Sequence, residues 1–439
     1  MKKLLVLLLT VLMVLGLTAC GQNKPQSPKP DSIKVAGLLG GYGDAGWKAV
    51  AEAFEKETGI KVELTLEKNI ADTLRPAIQA GKDIPDAIYL AVGSTGGITD
   101  TMIAEKQVTE INDLLDVTVP GEKVTVKEKL LPGFTEALSV SPYGDGKLYL
   151  APINYSPCGL FYNAKLFEDK GWKVPATFEE MFKLAEQAKA EGIALFTYPT
   201  TGYFDAFFSA LLNEAVGPEK YAKLMKYDLE TWKSPETKKA FEIVGQLAKY
   251  TEANTVANAN KEGFTKNQQL ILNNKALFIP NGTWLPAEMK DAPRAEGFKW
   301  GFTALPKLTA DGDAYATTFT EQIWIPSGAK NVDAAKQFIA FLYSDVAVKL
   351  FAEKSNAFMP TKTASAAITD NETKMMLSIY DGGAKANAVG FASHATVEGV
   401  DLTGPEGILY GTVNSVVNGS KSVDEWYDGV IKAVEAYNK

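Results

Sequence analysis

Between Ile33 and Val92 the apolar residues change their spacing repeatedly, and no other feature of the chain restricts its fold as much. Ile33-Lys34-Val35-Ala36-Gly37-Leu38-Leu39 reads as a strand, followed by the loop Gly40-Gly41-Tyr42-Gly43-Asp44. Trp47, Val50, Ala51 and Phe54 then fall at i, i+3, i+4 and i+7, one face of a helix that ends at Gly59. Ile60 to Leu66 alternates as a second strand, and Asp86 to Val92 reads as a buried third. The order is β-α-β-α-β.

The alternation resumes further on. Leu148 to Ile153 and Cys158 to Tyr162 read as strands, and Thr177-Phe178-Glu179-Glu180 supplies a capping box for a helix to Ala190, stopped by Gly192. Phe178, Met181, Phe182 and Ala185 form its core stripe, and Ile193 to Tyr198 returns as a strand. Helices dominate from Phe204 to about Asn273, with Ser234-Pro235 as N-cap and first position of one. Late strands are expected at Ala276 to Ile279 and Glu321 to Ile325, then a helix capped by Asp333 and a last one marked by Val423, Trp426, Tyr427, Val430 and Val434. Two interrupted α/β units predict two lobes, each a β-sheet flanked by helices, with a ligand cleft between them. The expected division is 33–150 plus 281–320 against 151–280 plus 321–439, with hinges near 148–153, 277–282 and 319–325. At 439 residues and 46% hydrophobic composition, the chain has the length for two or three domains and is not a disordered one.

Met1-Lys2-Lys3 precedes an apolar run from Leu4 to Leu17, too short for a permanent span, and then Leu17-Thr18-Ala19-Cys20. This reads as an export signal over 1–19. The last four residues match the bacterial lipobox, which implies cleavage before Cys20 and lipidation of its thiol. The polar, Pro-rich stretch that follows to Ser32 reads as a tether, so 20–32 would hold a folded body outside the cytoplasmic membrane. The formal charge of −8 becomes more negative once Lys2 and Lys3 leave, and an acidic surface disfavours a nucleic-acid partner. Cys158, the other cysteine, reads as a buried thiol; a Cys/His pair would have to recruit His394, the single histidine.

Gly41-x-Gly43-x-x-Gly46 follows a predicted strand and opens a helix, with Glu63 and Glu67 about 20 residues on, as a dinucleotide site would require. An exported chain has no reliable supply of that cofactor, so a loop for a polar ligand is the preferred reading. G-x-S-x-G, P-loop and H-E-x-x-H motifs do not occur, and Asp311-Gly312-Asp313 is too short for a calcium loop. No metal or cofactor is expected. Aromatic residues at strand ends are more telling: Tyr42, Trp47, Tyr155, Tyr198, Tyr203 and Trp284, of which Trp47 lies on a core stripe. Flat rings cover the C–H face of a pyranose while polar neighbours bond its hydroxyls. Asp44, Asn69, Ser94, Asn154, Asn281 and Glu321 stand beside these rings or at comparable strand ends.

Ala80-Gly81-Lys82-Asp83-Ile84-Pro85-Asp86, Gly146 to Pro152, Leu160 to Phe167, Gly171 to Glu180, Asn281-Gly282-Thr283-Trp284 and Ala357 to Thr361 together resemble family 1 extracellular solute-binding proteins of carbohydrate importers of the ATP-binding-cassette type. The resemblance spans essentially the mature chain. It implies the two-lobed α/β periplasmic-binding-protein fold of type II, a sugar held between the lobes, delivery to membrane permease subunits, and no catalysis. Asp113-Leu114-Leu115-Asp116, Leu130-Leu131-Pro132-Gly133, Glu191 to Ala194 and Thr197-Tyr198 are most similar to the N-acetylglucosamine/diacetylchitobiose-binding branch. Chito-oligosaccharide is therefore preferred over cello- or xylo-oligosaccharides, with a monomeric protein lipid-anchored on the outer side of the cell membrane. A secreted glycan-active enzyme is the alternative, since paired carboxylates are set in space and not in sequence; a sensor subunit is a third reading.

Overall fold

The computed structural model describes residues 29–40, 42–94, 96–135, 137–387, 390–392, 397–404 and 406–439. The export signal, Cys20, most of the tether, Gly41 and His394 lie outside the described residues.

The first unit forms as its periodicity predicts. Strand β1 (Ser32–Leu38) is followed by helix α1 (Ala45–Thr58), which buries Trp47, Val50, Ala51 and Phe54 and ends on Gly59 at φ 69°. Strand β2 (Lys61–Glu67), helix α2 (Ile70–Ala80) and strand β3 (Ala87–Tyr89) complete it, with β1 parallel to both β2 and β3. The two strands expected over 148–162 are one, β4 (Leu150–Asn163). Its pairing register slips between Ile153 and Tyr155 at a bulge, where Asn154 has φ 43°. Helix α3 (Phe178–Ala190) starts on Thr177, whose hydroxyl accepts the Glu180 N–H at 3.2 Å; Glu180 itself reaches back to the Ala176 N–H, so the box is one residue wider than expected. Strand β5 (Ala194–Phe196) and helix α4 (Thr201–Val216) follow, then β6 (Ala276–Gly282), β7 (Trp300–Thr303) and β8 (Tyr315–Trp324). Helix α5 (Val332–Leu342) has Asn331 at its N-cap position without a side-chain capping bond, and Asp333, expected as the cap, lies in its first turn. Helix α6 (Asp345–Ser355), the short strand β9 (Lys385–Asn387) and helix α7 (Val423–Tyr437) close the sequence of elements.

The sheet order is β2-β1-β3-β8-β4-β6-β5, with β7 also on β4 and β9 on β8. β4 and β8 run antiparallel at its centre and serve two cores: Ala151, Ile153 and Ile323 belong with Ile33, Trp47 and Phe54, whereas Leu160 and Tyr315 belong with Phe178, Phe204, Phe241 and Trp426. These two strands run from one core into the other in the two-lobed α/β fold.

Two expectations are corrected by packing. The segment 281–320 does not return to the first lobe: Leu285, Trp300 and Phe302 pack with Phe161, Ile271 and Ile279, and β7 pairs with the far half of β4. The chain therefore makes no crossing at 277–282. Conversely, 331–359 belongs to the first lobe, because the apolar face of α1 is wider than β1 can cover. Phe54 meets Phe338 with ring centroids 5.2 Å apart, Trp47 meets Phe351 at 5.2 Å, and Lys129 pairs with Asp345 at 2.5 Å. A third connection runs through a small cluster of Phe358, Ile368, Leu377 and Ala386 with Phe134 and Tyr155.

Candidate functional site

β8 is bonded to β4 along one side, and on the other to β9 over Tyr315–Thr317 and to β3 over Ile323–Trp324. Thr318 to Glu321 thus lie in the gap between lobes, and within this central strand Phe319, Thr320 and Glu321 are the residues that are not buried. Side chains alternate along a strand, so Phe319 and Glu321 share the face on which Thr317 bonds the Ala206 carbonyl of α4.

Around Glu321 the polar groups converge. The Tyr89 hydroxyl and the Asn154 amide, the latter at 3.1 Å, both donate to Glu321 Oε2. Burial pushes the Glu321 carboxyl above the usual carboxylate range, and these two donors oppose that rise. The phenols of Tyr42 and Tyr89 are held well above their ordinary value, first by burial and then by the Glu321 charge. Tyr89 is fixed from behind by Trp47, whose ring lies 4.6 Å away, and Gly37 leaves room that a Cβ would fill. Trp47 is core, as its stripe implied.

On the side of the second lobe the rings converge. Trp284 follows the end of β6 and its indole N–H donates to the Tyr203 hydroxyl at 3.2 Å, from the first turn of α4. The Trp284 ring lies over Gly282, where a Cβ would come within 2.2 Å of it, so this glycine is what allows the indole to fold down. Ser156 on β4 and Thr283 share a hydroxyl hydrogen bond of 2.6 Å that ties the turn to the connecting strand. Trp284 stands 6.1 Å from Tyr203 and 6.1 Å from Phe319, with the rings tilted by 49° and 38°.

The structure thus brings together Tyr42, Asn154 and Glu321 in one group and Tyr203 and Trp284 in another. Asp44, Asn69 and Ser94 follow the C-terminal ends of β1, β2 and β3; Asp44 is paired with Lys48 at 2.6 Å, and Asn69 is exposed before α2. Three predicted residues are elsewhere. Tyr198 is fully buried, its hydroxyl on Asn414 and its ring against Phe204, because the β5 end turns into the second core. Tyr155 is buried against Phe134 and Tyr380, since the bulge at Asn154 turns it away from Phe319. Asn281 is 1% exposed, its carbonyl oxygen taken by the Gly282 N–H and its amide nitrogen without a partner.

Tyr89 and Phe319 escaped the sequence reading. Tyr89 sits in a strand that reads as wholly buried; Phe319 carried a signal, a lone aromatic among Thr and Glu just before a predicted strand. Gly46 of the glycine motif has a packing role: its N–H donates to Ser355 Oγ at 2.9 Å, and α6 lies where a bound group would approach. Cys158 is a buried free thiol pushed up by burial. A cavity of about 700 Å³ lies apart, at the far end of α4 among Leu131, Phe134, Asn213, Tyr221, Met225 and Tyr380, and is lined by none of the predicted residues. The convergence of rings and polar groups, not cavity volume, marks the site.

Residues 49–376 match the bacterial extracellular solute-binding protein family. The chain is 25% identical over 346 residues to the diacetylchitobiose-binding protein NgcE of Streptomyces coelicolor, covering 75% of this chain and 70% of that one. It is 26% identical over 392 residues to a maltooligosaccharide ABC transporter solute-binding lipoprotein of Streptococcus pneumoniae, covering 81% and 80%. The fold is similar to that of apo RafE from Streptococcus pneumoniae, with a TM-score of 0.68 at 16% identity over 94% of this chain and all of the other.

Proposed function

Because the chain belongs to the bacterial extracellular solute-binding protein family, we propose that it captures an oligosaccharide between its lobes and delivers it to the permease of an ATP-binding-cassette importer. The observation that carries this reading is that the Tyr203–Trp284–Phe319 rings and the Glu321–Asn154–Tyr89 polar group meet on β8, through Phe319 of the one and Glu321 of the other. The rings would cover the C–H faces of sugar units, and the carboxylate and phenols would bond hydroxyls. Closure on β4 and β8 is then a selection of the closed state by the ligand's greater affinity for it. No bond is made or broken.

Chito-oligosaccharide is the preferred ligand, supported by the similarity to a diacetylchitobiose-binding protein; maltooligosaccharide has parallel support from the second relative. The sequence Leu17-Thr18-Ala19-Cys20 supports a lipid anchor on the outer face of the cell membrane. Deleting the gene while leaving the permease intact should abolish uptake of the labelled glycan, and normal uptake would contradict the transport role. Release of new reducing ends from chito- or malto-oligomers by the pure protein would instead favour a glycan-active enzyme.

A further inference from the structure

The cavity of about 700 Å³ at the far end of α4 takes no part in holding a ligand on Trp284 and Glu321, yet it has the size of a small-molecule site. Interiors leave few voids larger than a water molecule, and this one is far larger. Its walls come from three separate clusters: Ala137 packs on the first core, Tyr221 and Met225 belong to the second, and Phe134 belongs to the small cluster that contains Ala386. Repacking within any one core therefore cannot fill it. Ala222 and Lys226, both exposed, lie at its rim.

The chemistry of the walls selects what fits. Phe134, Tyr221 and Tyr380 supply rings, and no carboxylate lines the cavity among the described residues. Its two lysines are engaged, Lys385 with the Asp313 carboxylate and Lys226 with the Gly144 carbonyl at 2.9 Å. What is left over is an acceptor. Asn387 directs its amide N–H groups at Thr317, 3.1 Å away, and at Tyr221, 3.4 Å away, and its carbonyl oxygen accepts from the Asn213 amide nitrogen at 2.9 Å. That chain of bonds fixes which way the Asn213 amide points and leaves its Oδ1 without a partner, on a side chain only 5% exposed. Ser141, also buried, lines the same cavity with an unpartnered hydroxyl. A buried acceptor without a donor is costly, and a ligand that brings one removes the cost.

We infer that this cavity is a second binding site, separate from the candidate site, for an uncharged aromatic alcohol whose flat apolar body sits among the rings while its hydroxyl donates to Asn213 Oδ1. The inference does not rest on the carbohydrate reading.

Equilibrium dialysis of the purified protein against 2-naphthol, and against 2-methylnaphthalene, which has the same shape but no donor, tests the assignment. 2-Naphthol should bind, and its preference over 2-methylnaphthalene should fall about fivefold in Asn213→Leu, the size expected for one hydrogen bond. Ala222→Trp, which covers the rim from an exposed position and leaves the cores untouched, should weaken both probes more than about tenfold, because the aromatic body can no longer enter. Trp284→Ala should bind both as the unchanged protein does. Absence of binding by either probe overturns the assignment, as does binding that is lost in Trp284→Ala and kept in Ala222→Trp, which would place the probes in the candidate site. An unchanged preference in Asn213→Leu overturns the alcohol class. Should Asn213→Leu fail to fold, the other two variants still decide whether the cavity is the site.

Discussion

The Asn154 amide donates to Oε2 of Glu321 at 3.1 Å, linking the two strands that join the lobes, and it does so from a backbone φ of 43°. That conformation costs most side chains about 1–2 kcal/mol, whereas Gly adopts it freely and Asn tolerates it through local hydrogen bonding. The bulge therefore combines a bend in β4 with a polar group aimed at β8.

Asn154→Ala should accordingly destabilise more than Asn154→Gly, by about 1 kcal/mol, because both lose the bond to Glu321 but only Ala keeps the strain. Urea denaturation of the two variants reads the difference. An Ala variant as stable as the Gly variant would show that the bulge relaxes without cost.

Gly282→Ala places a methyl group within 2.2 Å of the Trp284 ring, so the indole must move. The fold should survive, since Trp284 is only half-buried, while affinity for the glycan falls by more than about 1 kcal/mol, as it should in Trp284→Ala and Tyr203→Ala. Tryptophan fluorescence and titration of the same sample check both statements. Unchanged affinity in all three variants would remove these rings from the site.

Stability should decline as pH rises from about 4 to 8. Burial pushes Asp205 up to about 7 and Glu214 up to about 8, with the Ala206 and Leu308 amides opposing the rise. A carboxyl whose folded pKa is raised stabilises the fold fully below its ordinary pKa, and that contribution is lost as pH climbs to the folded value. Asp205→Asn with Glu214→Gln should flatten the dependence of Tm on pH over that window. A slope as steep as in the unchanged protein would mean that other groups cause it.

Cys20→Ala should move the protein from the membrane fraction to the medium or periplasm and abolish labelling by radioactive fatty acid. Retention in the membrane with unchanged labelling would contradict the anchor.

The first β-α-β-α-β unit was legible because each of its elements is declared by local spacing: Trp47, Val50, Ala51 and Phe54 need only their own helix to be recognised. What the spacing leaves open is the partner. The stripe of α1 states that something apolar must cover it, and nothing local says that α5 and α6, nearly 300 residues later, do so rather than serving the second lobe. The same holds for Tyr155 and Tyr198, which stand where the sequence places a strand end but turn into cores through a one-residue bulge and a tight loop. Trp284, Tyr203, Asn154 and Glu321 were readable as strand-end residues; that Asn154 meets Glu321 while Trp284 meets Tyr203 and Phe319 depends on long-range placement, including the pairing of β8 with β4, which no local spacing states.

The most direct measurement is a calorimetric titration of the chain freed of residues 1–20 with chito-, malto-, cello- and xylo-oligosaccharides. One series should bind with an affinity near micromolar, about 8 kcal/mol, and Trp284→Ala should weaken it. No binding to any series at millimolar concentration would contradict the account.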